Sequence, residues 1–245
     1  MKAPGIEPLN YPVSPLGGQR PAQRWSVGAV IIDLDGTMVD TLGDFDVALN
    51  ATLGDLGRPG VTRADIERMV GKGSAHLIRS ALRLGGLDEA GAAALQDEAW
   101  ARYQAHYRAI NGAHSAVYPG VEEGLRLLQA RGLPLACLTN KPLAFARDLL
   151  QAKGLHRYFV QVFGGDSFER VKPDPLPLLK TCEALGTQPA ATLMVGDSQN
   201  DALAARAAGC PVALVTYGYN HGEPIVSAPH DALVDSLASV PALLA

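Results

Sequence analysis

The hydrophobic residues of the chain fall into short apolar runs that alternate with longer amphipathic stretches from residue 119 onward. The run at 27–32 is rich in β-branched residues and ends at turn-forming residues, as expected for a strand buried on both faces of a parallel sheet. This alternation predicts a doubly wound parallel sheet of the α/β class. The other predicted strands are 133–138, 159–163, 193–195, 212–215 and a final edge strand at 233–234. Predicted helices occupy 121–131, 142–153, 175–185, 198–208 and the C-terminus.

Residues 41–118 have a helical pattern and contain no good strand candidate. Predicted helices run from 44 to 56, from about 62, after the glycines at 71 and 73, and from 88 onward. Tyr103 and Tyr107 continue a four-residue spacing in the last of these, which is typical of packing between helices. The block predicts a small all-helical insertion. The predicted organisation is a loose extension at 1–24, a core formed by 25–40 and 119–245, and a helical cap domain at 41–118.

Composition and charge narrow the class of protein. The 245 residues are 47% hydrophobic and 19% charged, with a formal net charge of -4. These values are typical of a soluble globular protein, and no basic field points to nucleic acid or an anionic membrane as a partner. No apolar run is long enough to span a bilayer, and the N-terminal residues lack an apolar signal core. The three widely separated cysteines predict reduced thiols and a cytoplasmic location.

The first candidate site lies directly after the predicted strand at 27–32. Asp33 and Asp35 leave the strand on the same side, so their charges repel unless a cation or a shared proton relieves them. Gly36 allows the backbone to turn closely around a ligand. An ordinary Asp-Gly turn is the alternative interpretation.

Three further polar clusters follow other predicted elements of the core. Thr139-Asn140 follows the strand at 133–138, Lys172 precedes the helix at 175–185, and Gly196-Asp197 begins a segment that continues to Asp201. Each has a structural alternative, namely a helix cap, a solvated lysine and a turn. Because the carboxyl ends of parallel strands meet at one edge of the sheet, the clusters are expected to converge there.

These four clusters resemble the motifs of the haloacid dehalogenase superfamily of phosphatases. Asp33-Leu34-Asp35-Gly36-Thr37 matches the first motif, Thr139-Asn140 the second and Lys172-Pro173 the third. Gly196-Asp197 with Asp201 matches the fourth. The resemblance runs from about residue 27 to the C-terminus, and it implies a Rossmann-like core with an inserted helical cap.

Within the superfamily, the chain is most similar to the phosphoglycolate phosphatases. Four segments of the core carry this similarity, and a glycine-bearing cap loop adds to it, although the family commonly has a different residue between the two glycines. These segments are Thr139-Asn140-Lys141-Pro142, Val195-Gly196-Asp197-Ser198, Gly209-Cys210-Pro211, Thr216-Tyr217-Gly218-Tyr219-Asn220 and Gly71-Lys72-Gly73.

The resemblance implies a reaction centred on the first motif. Asp33 is expected to attack phosphorus and form an aspartyl-phosphate, and Asp35 to act as general acid and then base. Mg²⁺ is expected to bind the carboxylates of Asp33 and Asp197 and the backbone carbonyl of Asp35. Asp201 is expected to orient these metal ligands without binding the ion.

The remaining motif residues are expected to bind the substrate. Thr139, the Asn140 amide and Lys172 are assigned to the phosphoryl oxygens, and Gly36 to the turn beside them. Lys72 in the cap loop is assigned to the substrate carboxylate, with a solvated loop lysine as the alternative. Lys141 and Asp40 are interpreted as local charges at helix starts.

Four functions stay open at this point. The favoured one is hydrolysis of 2-phosphoglycolate to glycolate, and the second is hydrolysis of another small phosphate ester or a sugar phosphate. The third is phosphoryl transfer of the β-phosphoglucomutase type. The fourth is a non-catalytic phosphate-binding protein, which is expected to have lost a core residue, and none is missing. The expected partner is a small phosphorylated metabolite, and the oligomeric state is a monomer or a homodimer.

Overall fold

A computed structural model describes residues 24–245, so the predicted extension at 1–24 lies almost entirely outside the described residues. The secondary structure of residues 24–245 follows the predicted alternation of strands and helices. The strands are β1 (Ala29–Ile32), β2 (Val39–Asp40), β3 (Ala116–Val117), β4 (Leu135–Leu138), β5 (Gln161–Phe163), β6 (Thr192–Gly196), β7 (Val212–Val215) and β8 (Ala232–Val234). The α-helices are α1 (Leu42–Asp55), α2 (Arg63–Met69), α3 (Ser74–Leu84), α4 (Glu89–Ile110), α5 (Val121–Ala130), α6 (Leu143–Ala152), α7 (Leu176–Leu185) and α8 (Gln199–Ala208).

Six strands form one parallel sheet in the order β5-β4-β1-β6-β7-β8. The central strand β1 is fully buried, and its side chains alternate between the two faces. Val30 and Ile32 pack in a core cluster with residues of α5 and α6, whereas Ile31 packs in a second cluster with residues of α7 and α8. Helices therefore cover both faces, and the predicted doubly wound fold is confirmed.

Helices α1 to α4 lie between β2 and β3 in the chain and form a third hydrophobic cluster of their own. Tyr103 and Tyr107 of α4 are buried in it, with ring centroids 5.4 Å apart, so the aromatic spacing reflects packing. Phe145 of α6 and Tyr219 after β7 also belong to this cluster. This helical block, residues 41–115, is called the cap below, and the remaining described residues are called the core.

Two local features differ from the sequence-based expectations. A two-stranded antiparallel ribbon, β2 with β3, joins core and cap, although no strand was expected in 41–118. The expected C-terminal helix is a 3₁₀ helix, Leu237–Leu243, with Pro241 inside it. Shorter 3₁₀ turns occur at His156–Tyr158, Pro189–Ala191 and Ile225–Ser227.

None of the helices in residues 24–245 has the length and apolar character needed to cross a membrane. The cysteines are Cys137, Cys182 and Cys210, and all three are buried free thiols.

Candidate active site

Three neighbouring strands deliver the predicted site residues to one edge of the sheet. Asp33 follows β1, Thr139 follows β4 and Asp197 follows β6. Because β4, β1 and β6 are adjacent and parallel, their carboxyl ends lie side by side. Lys172 reaches the same place from the loop before α7, and its Nζ lies 2.9 Å from Asp33 Oδ1. The structure therefore brings the four motifs together.

Lys172 is the buried cation at the base of the site. Its Nζ donates to the Leu138 carbonyl oxygen at 2.9 Å and to Asp201 Oδ1 at 2.6 Å, in addition to its ion pair with Asp33. Burial alone would lower the pKa of Lys172, but the charges of Asp201 and Asp33 outweigh burial and raise it. The ammonium form is therefore fixed in place by two hydrogen bonds, to Leu138 and Asp201, and by its ion pair with Asp33.

Three carboxylates lie close together here, and two of them, Asp33 and Asp201, pair with this cation. Oxygen atoms of Asp33, Asp197 and Asp201 lie within 4.8 Å of one another. Burial raises the pKa of Asp33 to about 7, a rise that Lys172 reduces and Asp201 increases. Burial also raises the pKa of Asp197 well above its usual range, and the charges of Asp201 and Asp33 add to the rise. One ammonium group does not balance these carboxylates, so the cluster favours an additional cation.

The donor set fits a hard divalent cation. Asp33 Oδ1 is buried and has no hydrogen-bond donor in proper geometry, although it lies near Lys172. The Asp35 carbonyl oxygen accepts no hydrogen bond from residues 24–245. In contrast, both carboxylate oxygens of Asp201 already accept hydrogen bonds. Lys172 Nζ donates to Oδ1, and Ser198 Oγ donates to Oδ2 at 2.7 Å. Oxygen atoms of Asp33 and Asp35 are thus available to a metal, whereas Asp201 is already engaged.

Asp197 is held rigidly by its surroundings. Thr37 Oγ1 donates to its Oδ1 at 2.7 Å, and the Tyr219 backbone N–H donates to its Oδ2 at 2.7 Å. Gly36 and Gly218 pack directly against the carboxylate, and a Cβ atom at either position would overlap it. Gly36 therefore serves the placement of Asp197 as well as the turn after Asp35.

Asn140 lies in the cavity, but its side chain is engaged with the protein. Its Nδ2 donates to the Gly71 carbonyl oxygen at 3.0 Å and to the Lys172 carbonyl oxygen at 2.8 Å. Its Oδ1 accepts the Lys172 backbone N–H at 3.0 Å. The side-chain amide of Asn140 thus ties the Lys172 loop to the cap, and its assignment to phosphoryl oxygens stays a prediction.

A cavity of about 30 Å³ lies between core and cap. Lys72, although its loop contributes to this cavity, is exposed and does not line it. Its charge lowers the pKa of His76 and His221, after the larger effect of burial, which places it near those rings. The residues that line the cavity are Asp33, Asp35, Phe45, Val70, Gly71, Gly73, Ser74, Leu77, Thr139, Asn140 and Lys141.

Sequence reasoning missed the role of two polar residues. Lys141, interpreted as a charge at a helix start, is buried, and its Nζ lies 2.9 Å from Asp35 Oδ1. Asp40 does accept the Leu42 backbone N–H at the start of α1, at 3.2 Å, but it also accepts the Tyr219 hydroxyl. The position of Lys141 in the cavity lining depends on contacts with residues distant in the chain. The one sequence signal for a role of Lys141 was its closeness to the second motif, Thr139-Asn140.

Comparison with known proteins places the chain in a family. The family model for haloacid dehalogenase-like hydrolases matches residues 27–209. The phosphoglycolate phosphatase of Thiobacillus denitrificans is 45% identical over 212 residues, which cover 86% of this chain and 93% of that protein. The plasmid phosphoglycolate phosphatase of Cupriavidus necator is 44% identical over 216 residues, covering 88% and 92%.

A solved structure agrees with these matches. The crystal structure of a predicted phosphoglycolate phosphatase from Haemophilus somnus 129PT superimposes with a TM-score of 0.82 and 32% identity, over 88% of this chain and 97% of that one. The resemblance to the family and the prediction of a hydrolase are confirmed by these findings. The chain belongs to the haloacid dehalogenase-like hydrolase family.

Proposed function

We propose that this hydrolase is a Mg²⁺-dependent phosphomonoesterase that converts 2-phosphoglycolate and water to glycolate and phosphate. The observation that carries the proposal is the pairing of Asp33 with the Lys172 ammonium at 2.9 Å, beside a cavity that Asp35 and Thr139 also line. Phosphoryl transfer through a covalent intermediate requires a carboxylate nucleophile, a fixed cation and a second carboxylate close together. Asp33, Lys172 and Asp35 supply these groups in the proposal.

Asp33 is the nucleophile in this proposal. Its carboxylate oxygen forms a bond to phosphorus while the bond from phosphorus to the glycolate oxygen breaks, which leaves an aspartyl-phosphate. Lys172 stabilises the negative charge that spreads over the phosphoryl oxygens. Thr139 Oγ1 accepts the Lys141 backbone N–H at 3.2 Å, so its own proton is free for a phosphoryl oxygen.

Asp35 moves the protons in both halves of the reaction. It protonates the glycolate oxygen as that oxygen leaves, and then takes a proton from the water that attacks phosphorus and breaks the bond to Asp33. Asp35 is thereby protonated again at the end of the cycle. An alkoxide is a poor leaving group, and such acid–base catalysis typically contributes about 10²- to 10⁴-fold to the rate.

The carboxylates of Asp33 and Asp197 and the carbonyl oxygen of Asp35 would hold Mg²⁺. When bound, the ion offsets the charges of the carboxylates and of the phosphoryl group. Two oxygens support this assignment: Asp33 Oδ1 pairs with Lys172 but accepts no hydrogen bond in proper geometry, and the Asp35 carbonyl oxygen accepts none from residues 24–245. Asp201 positions Lys172 and the start of α8 without binding the ion.

The names of the relatives support a small leaving group. The relatives with 45% and 44% identity are both named phosphoglycolate phosphatase.

A steady-state panel of phosphate esters tests the proposal. We expect kcat/KM to be highest for 2-phosphoglycolate, above 4-nitrophenyl phosphate and the sugar phosphates, because kcat/KM ratios measure specificity directly. EDTA should abolish turnover and Mg²⁺ should restore it. A higher kcat/KM for a sugar phosphate would contradict 2-phosphoglycolate as the substrate. Conversion of β-glucose 1-phosphate to glucose 6-phosphate without phosphate release would show that the enzyme is a mutase and not a hydrolase. Indifference to EDTA would contradict the metal site.

A further inference from the structure

Lys141 is a buried lysine beside the catalytic acid, and its hydrogen bonds are incomplete. Its side chain is only 2% exposed, and Nζ donates to Asp35 Oδ1 at 2.9 Å. An ammonium group has three N–H donors. Within residues 24–245, Asp35 supplies the one hydrogen-bond acceptor that Lys141 Nζ meets, whereas Lys172 in the same site meets three oxygens. Lys141 therefore has unused capacity to bind an anion.

The remaining surroundings of Lys141 Nζ are aromatic and come from the cap. Nζ lies 4.5 Å from the ring centroid of Phe45 in α1 and 4.7 Å from that of Tyr107 in α4. Aromatic faces attract a cation but offer no strong hydrogen-bond acceptor, so they hold the ammonium in place and leave its donors free. The position of Lys141 Nζ is thus defined by core and cap together.

The place of Lys141 relative to Asp35 indicates which part of a substrate it meets. Asp35 protonates the leaving oxygen in the proposed mechanism, so a group beside Asp35 faces the alcohol part of the ester. Lys141 lines the cavity together with the cap residues Val70 and Leu77. Ser74, which is buried, is the polar side chain that the cap contributes to this lining.

We propose that Lys141 is the specificity-determining residue of the site and that its ammonium binds a carboxylate carried by the leaving alcohol. This inference rests on the proposed function and deepens it. A carboxylate one carbon away from the ester oxygen lies next to the proton donor Asp35, within the region that Lys141 lines. Lys72, the lysine to which the sequence assigned this task, is exposed and outside the cavity lining.

The test compares two esters with alkyl leaving groups, 2-phosphoglycolate and ethyl phosphate, which lacks the carboxylate. We expect Lys141→Met to lower the ratio of their kcat/KM values by about 100-fold, because a buried charged partner is lost for one ester only. Lys141→Gln, a second neutral variant, should lower the ratio similarly. Lys180→Met, which removes a half-exposed lysine paired with Glu183 on α7, is the control and should leave the ratio unchanged.

Each alternative gives a different result. If Lys141→Met and Lys141→Gln reduce turnover of both alkyl esters equally but spare 4-nitrophenyl phosphate, Lys141 serves Asp35 alone and the proposal fails. Equal loss on all three esters indicates a structural role and also overturns it. A selective loss in Lys72→Met instead would assign the carboxylate to the cap lysine. Failure of the proposed function is seen separately, as a wild-type enzyme that does not prefer 2-phosphoglycolate to ethyl phosphate.

Discussion

The side chain of Asn140 joins the Gly71 carbonyl oxygen of the cap loop to the loop that carries Lys172. One Nδ2 hydrogen bond, 3.0 Å long, reaches Gly71, and the same amide holds the backbone N–H and carbonyl of Lys172. Asn200 also donates to the Gly71 carbonyl, at 3.1 Å, but has no hydrogen bond to Lys172 among residues 24–245. The cap position and the placement of Lys172 therefore share one side chain.

Asn140→Ala should lower kcat/KM more than Asn200→Ala. Both variants lose the contact with Gly71, but only the first leaves the backbone groups of Lys172 unpaired. Each unsatisfied buried group costs about 1–3 kcal/mol, and misplacement of a catalytic group by about 1 Å can cost about 10²-fold in rate. Kinetics and thermal melting of the two variants measure the difference. Equal losses in both would show that Asn140 acts on the cap alone.

Gly36→Ala should lower kcat/KM by about 10²-fold, the cost expected for a displaced catalytic group. Gly36 has a φ of +83°, and a Cβ atom there would overlap the Asp197 carboxylate. Gly57→Ala is the matched control, since its φ is +63° but nothing lies within 4 Å of the added Cβ. The control carries the backbone strain without displacing a site residue. Similar losses of activity in both variants would assign the effect of Gly36 to strain.

Mg²⁺ should stabilise the protein more at pH 8 than at pH 5. The pKa of Asp33 is raised from 3.8 to about 7 by burial, so the folded chain keeps this proton between pH 4 and 7 while the unfolded chain releases it. The free energy of unfolding of the metal-free protein therefore falls as pH rises through this window. Mg²⁺ binds deprotonated carboxylates and should reverse that loss at higher pH.

Melting temperatures with EDTA and with saturating Mg²⁺, recorded at both pH values, measure this effect. Asp33→Asn is the control, because it removes the titrating group and should make the stability of the metal-free protein less dependent on pH. An equal Mg²⁺ shift at pH 5 and pH 8 would contradict the assignment of the metal to Asp33.

The strands that carry the motifs could be predicted because their signal is local. The residues of β1, β4 and β6 are apolar runs with turn residues at their ends, and burial on both faces requires that composition. The ribbon formed by β2 and β3 could not be predicted from the sequence, because strands of two residues are too short to show a periodicity and form only through their pairing. The predicted C-terminal helix is a 3₁₀ helix and not an α-helix, because Pro241 lacks the backbone N–H that an α-helix needs there.

The site shows the same division between local and distant signals. Asp33, Thr139 and Asp197 follow strand ends, so topology alone predicts that they meet. Asn140 and Lys141 are the two residues after Thr139, but their contacts are with residues distant in the chain. Lys141 contacts Phe45 and Tyr107, and Asn140 bonds Gly71. No pattern near residue 140 contains these contacts, which depend on how the cap packs on the core.

Trapping the covalent phosphoenzyme shows whether Asp33 is the nucleophile of the proposed reaction. In Asp35→Asn, 4-nitrophenyl phosphate should still phosphorylate the enzyme because its leaving group needs no proton, whereas hydrolysis of the intermediate should slow. Acid quenching, borohydride reduction and peptide mass spectrometry then locate the phosphorylated residue. We expect residue 33 to be the one that is reduced, and Asp33→Asn in the same background to give no reduced residue. Modification of another residue, or turnover by Asp33→Asn at the wild-type rate, would contradict it.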